Sequence, residues 1–180
     1  MPLLIPLAII LGFAAHIRWW VKAKDAPYYP LEPDTAFRGL ELAAPTSSDI
    51  IYDLGSGDGR NLIAATLKYG AKTRGIEINH FRYWYSKIWI YLLRLHKHIK
   101  IIKGDIFLTP LHEATIVIAY LLPHTNEKLK SKFLQELKPG TKIIAIAFPL
   151  EGWKPVKINP KGCIFGQLYL YQIGLSEPKK

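Results

Sequence analysis

Residues 51–60 read IYDLGSGDGR, and they decide the class of fold. The apolar residues up to Leu54 are typical of a buried parallel strand, and a helical pattern begins at Arg60. Three alternating glycines lie between them. Glycine allows positive φ angles and lets the backbone approach a ligand closely, and the helix that follows presents amide N–H groups to a polar or negative group. The stretch therefore predicts the ligand-binding turn of an α/β protein.

The rest of the chain continues this alternation of strands and helices. Strands are predicted at Ile50–Leu54, Thr73–Ile78, Ile99–Lys103, Thr115–Tyr120, Thr141–Phe148, Lys154–Asn159 and Phe165–Ile173. Helices are predicted at Asp34–Ala44, Arg60–Tyr69, His80–His96 and Asn126–Leu137. The last two strands are joined by Pro160-Lys161-Gly162, which is typical of a turn. The predicted fold is an α/β, Rossmann-like, doubly wound and mostly parallel seven-stranded sheet with an antiparallel C-terminal hairpin, preceded by an N-terminal apolar helix.

Three acidic residues distinguish between a dinucleotide and S-adenosylmethionine (SAM) as the ligand of this turn. The glycine spacing is GxGxG, not the GxGxxG of dinucleotide sites. Asp53 precedes the first glycine, where it would repel a pyrophosphate but can assist binding of a cationic methionine end. Glu77 follows the next strand and is placed to accept hydrogen bonds from ribose hydroxyls. Asp105 follows the third strand and can accept the adenine amino group, while Ile106 covers the ring. The predicted cofactor is SAM.

Length and composition predict one globular domain. A chain of 180 residues with 49% apolar and 21% charged residues can bury one full core. The single cysteine, Cys163, excludes an internal disulfide, and we expect it to be a small core residue. No group of His, Cys and Asp has the spacing of metal ligands, so no metal is predicted.

The first residues predict a membrane anchor. Residues 1–17 read MPLLIPLAIILGFAAHI and contain no charged side chain, and Arg18, Trp19, Trp20 and Lys22 follow. A helix up to residue 21 would reach ~30 Å, which matches a bilayer core. The pattern therefore predicts a membrane-anchor helix at 1–24, a linker at 25–33 and the catalytic domain at 34–180. The basic flank predicts a single N-terminal span with the catalytic domain in the cytoplasm. A cleaved signal peptide and a buried core helix are the alternatives.

The net charge of +10 is concentrated in one stretch. From residue 60 to 103, ten Lys or Arg side chains accompany a single acid, Glu77. The same stretch contains FRYWYSKIWIYLLRL at 81–95, which is apolar nearly all the way around the predicted helix, more than one buried face requires. We therefore expect an aromatic and basic surface that docks on anionic lipid. A homodimer contact is the alternative.

The sequence resembles the class I SAM-dependent methyltransferases and, more narrowly, a group of protein-lysine methyltransferases. That group includes the mitochondrial enzymes that act on the adenine nucleotide translocase and on the ATP synthase c-subunit, as well as archaeal broad-specificity lysine methyltransferases. The glycine motif belongs to the whole superfamily, whereas PYYP at 27–30 and FPLEGW at 148–153 carry the narrower resemblance. The resemblance extends from about Pro27 to Gly174. It implies that SAM contacts Tyr29, Asp53, Gly55, Gly57, Glu77 and Asp105.

The motifs and the resemblance together give a set of candidate site residues. The predicted cofactor-binding residues are Tyr29, Asp53, Gly55, Ser56, Gly57, Asp58, Gly59, Glu77, Asp105 and Ile106. The acceptor is expected to enter at AYLLPH, residues 119–124, which lacks the Asn/Asp-Pro-Pro-Tyr pattern of many enzymes that methylate planar nitrogens. Tyr120 is the predicted catalytic residue, orienting the acceptor amine by its hydroxyl group or ring. The alternative is that Tyr120 only packs at the end of its strand.

The resemblance implies a protein-lysine N-methyltransferase, and the aromatic and basic surface together with the anchor leads us to expect that its substrate is a membrane or membrane-proximal protein. The expected partners are a lysine side chain of that protein and an anionic membrane surface. Two alternatives remain. The basic stretch also suits an RNA methyltransferase, which would bind its substrate in a salt-dependent manner. The chain could also be a membrane protein that binds SAM without catalysis.

Overall fold

The computed structural model of the protein describes residues 29–178, which form four helices and seven strands. The helices are α1 (Pro33–Ala43), α2 (Arg60–Tyr69), α3 (His80–Leu92) and α4 (Pro123–Glu136). The strands are β1 (Ile50–Leu54), β2 (Lys72–Glu77), β3 (Ile99–Lys103), β4 (Ile116–Ala119), β5 (Lys142–Ala147), β6 (Lys157–Cys163) and β7 (Gly166–Gln172).

All seven strands belong to one sheet, in the order β3-β2-β1-β4-β5-β7-β6. Strands β1 to β5 are parallel, and β7 is antiparallel to both β5 and β6. The predicted Rossmann-like sheet with an antiparallel C-terminal hairpin is therefore confirmed, while the predicted N-terminal apolar helix lies outside the described residues. The strand order reverses between β1 and β4, and open α/β sheets bind ligands at the carboxyl ends of the strands next to such a point.

Three apolar clusters cover the two faces of the sheet. On one face, α1 and α2 pack on the strands through residues such as Leu40 and Ala65, and Ile90 joins α3 to the edge of this layer. On the other face, α4 packs through Leu129 and Phe133. The buried strands read as continuous apolar runs because both of their faces are covered.

The C-terminal hairpin turns later than the sequence predicts. The predicted turn, Pro160-Lys161-Gly162, lies within β6, and the chain reverses at Ile164 and Phe165 instead. β6 is an edge strand with an irregular register, and edge strands tolerate proline because its missing N–H can face solvent. Gln167 pairs with Ala147 at the end of β5. The hairpin tip therefore lies at the same edge of the sheet as the carboxyl ends of the parallel strands.

The predicted localisation, a single membrane span with a cytoplasmic catalytic domain, is wrong for the part of the chain that the structure describes. Between residues 29 and 178, no helix is long and apolar enough to cross a bilayer. The longest, α4, has 14 residues, whereas a span needs about 20. The predicted anchor at 1–24 lies outside the described residues. Pro33, the last residue of the predicted linker at 25–33, begins α1.

Candidate active site

The carboxyl ends of the parallel strands surround a cavity of about 300 Å³. Its wall has two chemically different halves. The charged half lies on the side of β1, β2 and β3 and contains Asp53, Asp58, Arg60, Glu77, Arg82 and Asp105. The aromatic half lies at the ends of β4 and β5 and at the hairpin tip, and contains Tyr29, Tyr120, Phe148 and Phe165.

Nearly all of the sequence-predicted site residues meet in this cavity. Tyr120 and nine of the ten predicted cofactor-binding residues line it, from Tyr29 at the start of the described chain to Ile106. The exception is Gly59, which is the residue before α2 and has a φ of 83°. Gly59 thus shapes the start of the helix but does not face the cavity.

The glycine-rich loop takes the conformation that its sequence predicts. Gly55 and Gly57 have φ angles of 78° and 56°, in the left-handed region that glycine adopts at least cost. Their N–H groups are engaged within the protein: Gly55 donates to the carbonyl of Ile76, and Gly57 donates to Glu77 Oε2 at 2.9 Å. The loop is therefore held against the end of β2. Fewer of its N–H groups are available to a ligand than the sequence suggested.

Asp53 is a buried acid at the end of β1. Its Oδ2 accepts a hydrogen bond from Asn61 Nδ2 at 3.1 Å. Burial raises the pKa of Asp53 to about 7, which the Asn61 hydrogen bond partly opposes and the nearby negative charges of Asp58 and Glu77 reinforce. A cationic ligand group next to Asp53 would favour its ionised form. The position therefore suits an ammonium group.

Glu77, at the end of β2, is paired with an arginine that the sequence analysis did not connect to it. Arg82 Nη2 lies 3.1 Å from Glu77 Oε1, and both side chains are buried. Glu77 Oε1 also accepts the N–H of Asn79 at 2.7 Å. A carboxylate has about four lone-pair sites, and Glu77 uses three of them for Gly57, Asn79 and Arg82, so it can still accept one hydrogen bond from a ligand in the cavity. The sequence signal for this pair was that Arg82 follows Glu77 by five residues, with the start of α3 between them.

Asp105 and Ile106 lie in the loop after β3. Asp105 Oδ1 accepts the N–H of Phe107 at 2.8 Å, which fixes the loop, while the side chain remains partly exposed to the cavity. Asp53, Glu77 and Asp105 therefore follow neighbouring strands along one edge of the sheet. Their order in space is the order that the sequence predicts.

The segment before α1 closes one side of the cavity. Leu31 is buried, and Arg60 Nη1 donates to its carbonyl at 2.5 Å, while Arg60 Nη2 forms an ion pair with Asp58. Arg60 thus connects this segment to the glycine-rich loop. Tyr29, two residues earlier, makes an edge-to-face contact with Phe165, with 4.7 Å between the ring centroids.

Tyr120 follows β4 and belongs to the aromatic half. Burial raises its pKa, and the neighbouring Cys163 thiol raises it further, so the phenol stays protonated at ordinary pH. Phe148, Phe165 and Thr125 also line this half, and the sequence analysis missed all three. They come from a strand end, a hairpin tip and a helix start, so no local motif joins them.

Comparisons with known proteins agree with this geometry. A family model described as "ANTKMT methyltransferase domain" matches residues 53–157. The chain is 38% identical to a protein-lysine N-methyltransferase of Saccharolobus islandicus, over 82% of this chain and 94% of that protein. It is 28% identical to the ATP synthase c-subunit lysine N-methyltransferase of Xenopus laevis, over 82% of this chain but only 64% of that longer protein.

A solved structure is also similar along nearly its whole length. It is an RNA methyltransferase from Salinibacter ruber in complex with S-adenosyl-L-homocysteine, with 32% identity and a TM-score of 0.79, and the match covers 84% of this chain and 98% of that chain. The family match spans more than half of the chain. The chain therefore belongs to the ANTKMT methyltransferase domain family and is a methyltransferase that uses SAM as its methyl donor.

Proposed function

We propose that this SAM-dependent methyltransferase acts on the side-chain amine of lysine residues in proteins. The observation that carries the proposal is the 38% identity to a protein-lysine N-methyltransferase along 94% of that protein's length. The cavity is consistent with it, because a charged half suited to the cofactor adjoins an uncharged aromatic half suited to a long aliphatic side chain. The enzyme is, on this proposal, a protein-lysine N-methyltransferase.

The charged half fits SAM in chemistry and in order. Asp53 would accept a hydrogen bond from the ammonium group of the methionine end, Glu77 one from a ribose hydroxyl, and Asp105 one from the adenine amino group, with Ile106 against the ring. Gly55, Gly57 and Ser56 would let the ligand approach the loop closely, with Asp58 and Gly59 holding the loop in shape and Tyr29 closing the cavity over it. Ser56 lines the cavity, and its Oγ is buried without a hydrogen-bond partner among residues 29–178.

Catalysis requires the protein to deliver a neutral amine in line with the methyl group. Bound SAM supplies a methyl group activated by its attachment to a cationic sulfonium sulfur. A lysine amine has an ordinary pKa near 10.4 and must lose a proton before it can react. Among residues 29–178, the aromatic half contributes no carboxylate to the cavity wall, and exclusion of water there disfavours the ammonium form. Positioning and desolvation thus supply most of the catalysis.

Tyr120 would orient this amine. Because its pKa is raised, the phenol is not a general base, and its contribution is a hydrogen bond or a ring contact to the acceptor. A Tyr120→Phe variant would keep the ring and remove only the hydroxyl group. Loss of activity would assign the hydroxyl group, and retained activity would exclude it and leave a ring contact or packing alone.

The proposal is tested with SAM that carries a tritium-labelled methyl group. The purified enzyme is incubated with cell extract, and the products are digested with protease or with ribonuclease before counting. We expect label that protease releases, and mass spectrometry should locate it on lysine Nζ. Incorporation that only ribonuclease releases would contradict the proposal, and a chain that binds SAM but transfers no label would be a binding protein.

RNA methylation is the second candidate function, because two observations favour it. The solved structure at 32% identity is named an RNA methyltransferase, and the basic stretch at 60–103 is exposed at Lys87, Arg94, Lys97 and Lys100. Nucleic-acid binding through such side chains falls steeply with salt. Binding of transfer RNA that weakens by orders of magnitude between about 50 and 200 mM salt, together with labelled RNA, would favour this candidate.

The finer part of the proposal concerns where the protein substrate lies. We propose that it is held at a membrane and that the outer face of α3 contacts anionic lipid beside it. Only Arg82, Ser86 and Ile90 of α3 are buried, so Trp84, Ile88, Trp89 and further aromatic residues are exposed. Residues 78–104 contain no acid, and their exposed basic side chains complement a negative surface.

Vesicle sedimentation tests this surface. Substituting alanine for Trp84, Ile88 and Trp89 together should reduce binding to vesicles that contain phosphatidylserine. Neither the unsubstituted protein nor this triple variant should bind neutral vesicles strongly. Leu134→Ala, at an exposed apolar residue of α4 on the other face of the sheet, is the matched control. If the triple variant binds vesicles unchanged but loses self-association in sedimentation velocity, the face is a homodimer contact instead.

A further inference from the structure

The aromatic half of the cavity contains one deep polar side chain. Thr125, in the first turn of α4, lines the cavity and is only 1% exposed. Its Oγ1 is buried and has no hydrogen-bond partner within the described part of the chain. A buried hydroxyl group without a partner is costly, so native proteins rarely retain one that nothing satisfies.

The residues of this half differ in depth. Tyr29 and Phe165, which contact each other edge to face, are 48% and 47% exposed and so form the mouth. Tyr120 and Phe148 are half-buried, and Thr125 is fully buried. The half is therefore a passage that begins at an aromatic pair and ends at a hydroxyl group. Its wall suits a chain of methylene groups, and its end suits an N–H donor.

The neighbours of Thr125 hold the passage in place. Asn126 Nδ2 donates to the carbonyl of Phe148 at 3.1 Å and so fixes the end of β5 against the start of α4. The amides of Thr125 and Asn126 both donate to the carbonyl of Leu122 at 3.0 Å. The first turn of α4 contains no acid. The positive end of the helix dipole therefore favours a neutral amine over an ammonium group at this position.

We propose that Thr125 is the amine-binding residue of the acceptor site: its Oγ1 accepts an N–H of the lysine side chain that enters between Tyr29 and Phe165. The proposal rests on the protein-lysine activity proposed above and adds where and how the lysine is held. One N–H of the neutral amine donates to Thr125, which turns the nitrogen lone pair toward the charged half of the cavity.

The transfer balances with these groups alone. The amine nitrogen forms a bond to the methyl carbon, and the electron pair of the former carbon–sulfur bond stays on sulfur. The product amine carries one extra proton, which it releases to water. The aromatic faces at the mouth attract a methylated ammonium group. A partly methylated lysine is therefore expected to remain an acceptor.

Thr125→Val tests the hydroxyl group, because valine has nearly the same shape. With a protein or peptide acceptor, kcat should fall roughly tenfold or more, the effect of losing one oriented hydrogen bond to a reacting group. Thr125→Ser should restore most of the rate, and the Kd for S-adenosyl-L-homocysteine should stay within about twofold of the unsubstituted protein. The control is Thr141→Val, a buried threonine that precedes β5 and bonds to the Ala114 carbonyl, away from the cavity. Unchanged kcat in Thr125→Val, or no rescue by serine, would overturn the proposal.

The mouth is tested with two neighbouring residues of the hairpin tip. Phe165 lines the cavity, whereas the adjacent Ile164 is exposed and does not. Phe165→Ala should raise KM for the acceptor and reduce the fraction of dimethylated lysine, and Ile164→Ala should change neither. Equal effects of the two substitutions would mean that Phe165 does not form the mouth.

The proposal and the underlying function fail differently. If the unsubstituted enzyme labels no protein lysine, the protein-lysine activity itself is wrong. If it labels lysine but Thr125→Val is fully active, only the acceptor site is wrong. If Thr125→Val loses binding of S-adenosyl-L-homocysteine, the residue belongs to the cofactor half.

Discussion

The Asp53 carboxyl group carries the most distinctive chemistry of any single residue in this enzyme. It is buried beside two other acids, and its pKa is raised to about 7 from an ordinary value of 3.8. Without a cation beside it, the group therefore tends to bind a proton near neutral pH. An ammonium group that arrives next to it must displace that proton below pH 7, and this costs affinity.

We predict that SAM affinity rises with pH through this range. If only ionised Asp53 binds the methionine ammonium group, Kd should fall about fivefold from pH 6 to pH 7, since the ligand's own α-amino group, with a pKa near 8, stays cationic. Isothermal titration calorimetry at the two pH values measures the change. Asp53→Asn should bind more weakly and lose the dependence. Equal Kd values for the unsubstituted protein at pH 6 and 7 would contradict the assignment.

Gly75 is a residue whose importance only the structure reveals. It lies in the middle of β2, and a Cβ atom there would overlap Ser56 Oγ and come within 2.6 Å of Leu62 Cδ1. Gly75→Ala should destabilise the protein by about 1–3 kcal/mol through overpacking, as urea denaturation would measure. Gly39→Ala is the control, because its Cβ atom would meet Ile144 at an ordinary 3.5 Å and alanine favours helix α1. A similar change in stability in both variants would mean that Ser56 and Leu62 move aside at little cost.

Single residues also mark the limit of prediction from sequence. Asp53, Glu77 and Asp105 were found because each one follows a buried apolar run, and the ends of parallel strands must meet. Thr125 and Phe165 were missed because their place in the site depends on where a helix starts and where a hairpin turns. No local sequence motif marks where that helix starts or where that hairpin turns.

At the scale of elements, the start of α3 is the junction on which the charged half depends. Asn79 caps the helix by accepting the N–H groups of Phe81 and Arg82, and Arg82 then pairs with Glu77 at the end of β2. The helix is thus fixed to the strand beside the cavity. Its buried stripe is narrow, so this ion pair replaces part of the apolar contact that a wider face would make.

Removing Arg82 from its ion pair with Glu77 should lower the free energy of unfolding more than removing a nearby exposed lysine. Arg82→Met leaves the buried Glu77 carboxylate without its cation, and we expect a loss of about 3 kcal/mol in the free energy of unfolding. Lys87→Met, one turn later, removes an exposed amine that lies 5.1 Å from the Trp84 ring and should cost about 1 kcal/mol or less. Urea denaturation compares the two. A cost for Arg82→Met no larger than that for Lys87→Met would show that the pair is not holding the helix.

The elements predicted best are those whose apolar runs are bounded by polar or glycine-containing loops. The limits of β1 and β3 match the prediction, because their apolar runs end where the polar loops begin. The hairpin was misplaced because Pro160 and Gly162 indicate a turn by their local preferences, whereas pairing with β7 keeps them in an edge strand. Tertiary pairing outweighed local preference there.

At the scale of the whole molecule, the strand order brings the two halves of the reaction together. Strands β1, β2 and β3 carry the acids to one side of the switch point, and β4, β5 and the hairpin carry the aromatic residues to the other. A donor and an acceptor that bind in the two halves would meet above β1 and β4. This arrangement requires the cofactor to bind with its sulfur atom toward the aromatic half. The assignment of the two halves depends on that orientation.

A crystal structure of the protein with S-adenosyl-L-homocysteine tests that orientation most directly. We predict adenine beside Asp105 and Ile106, ribose hydroxyls at Glu77, the amino group at Asp53, and the sulfur atom turned toward Tyr120 and Thr125. A nucleoside bound outside this cavity, or a sulfur atom that faces away from the aromatic half, would contradict it.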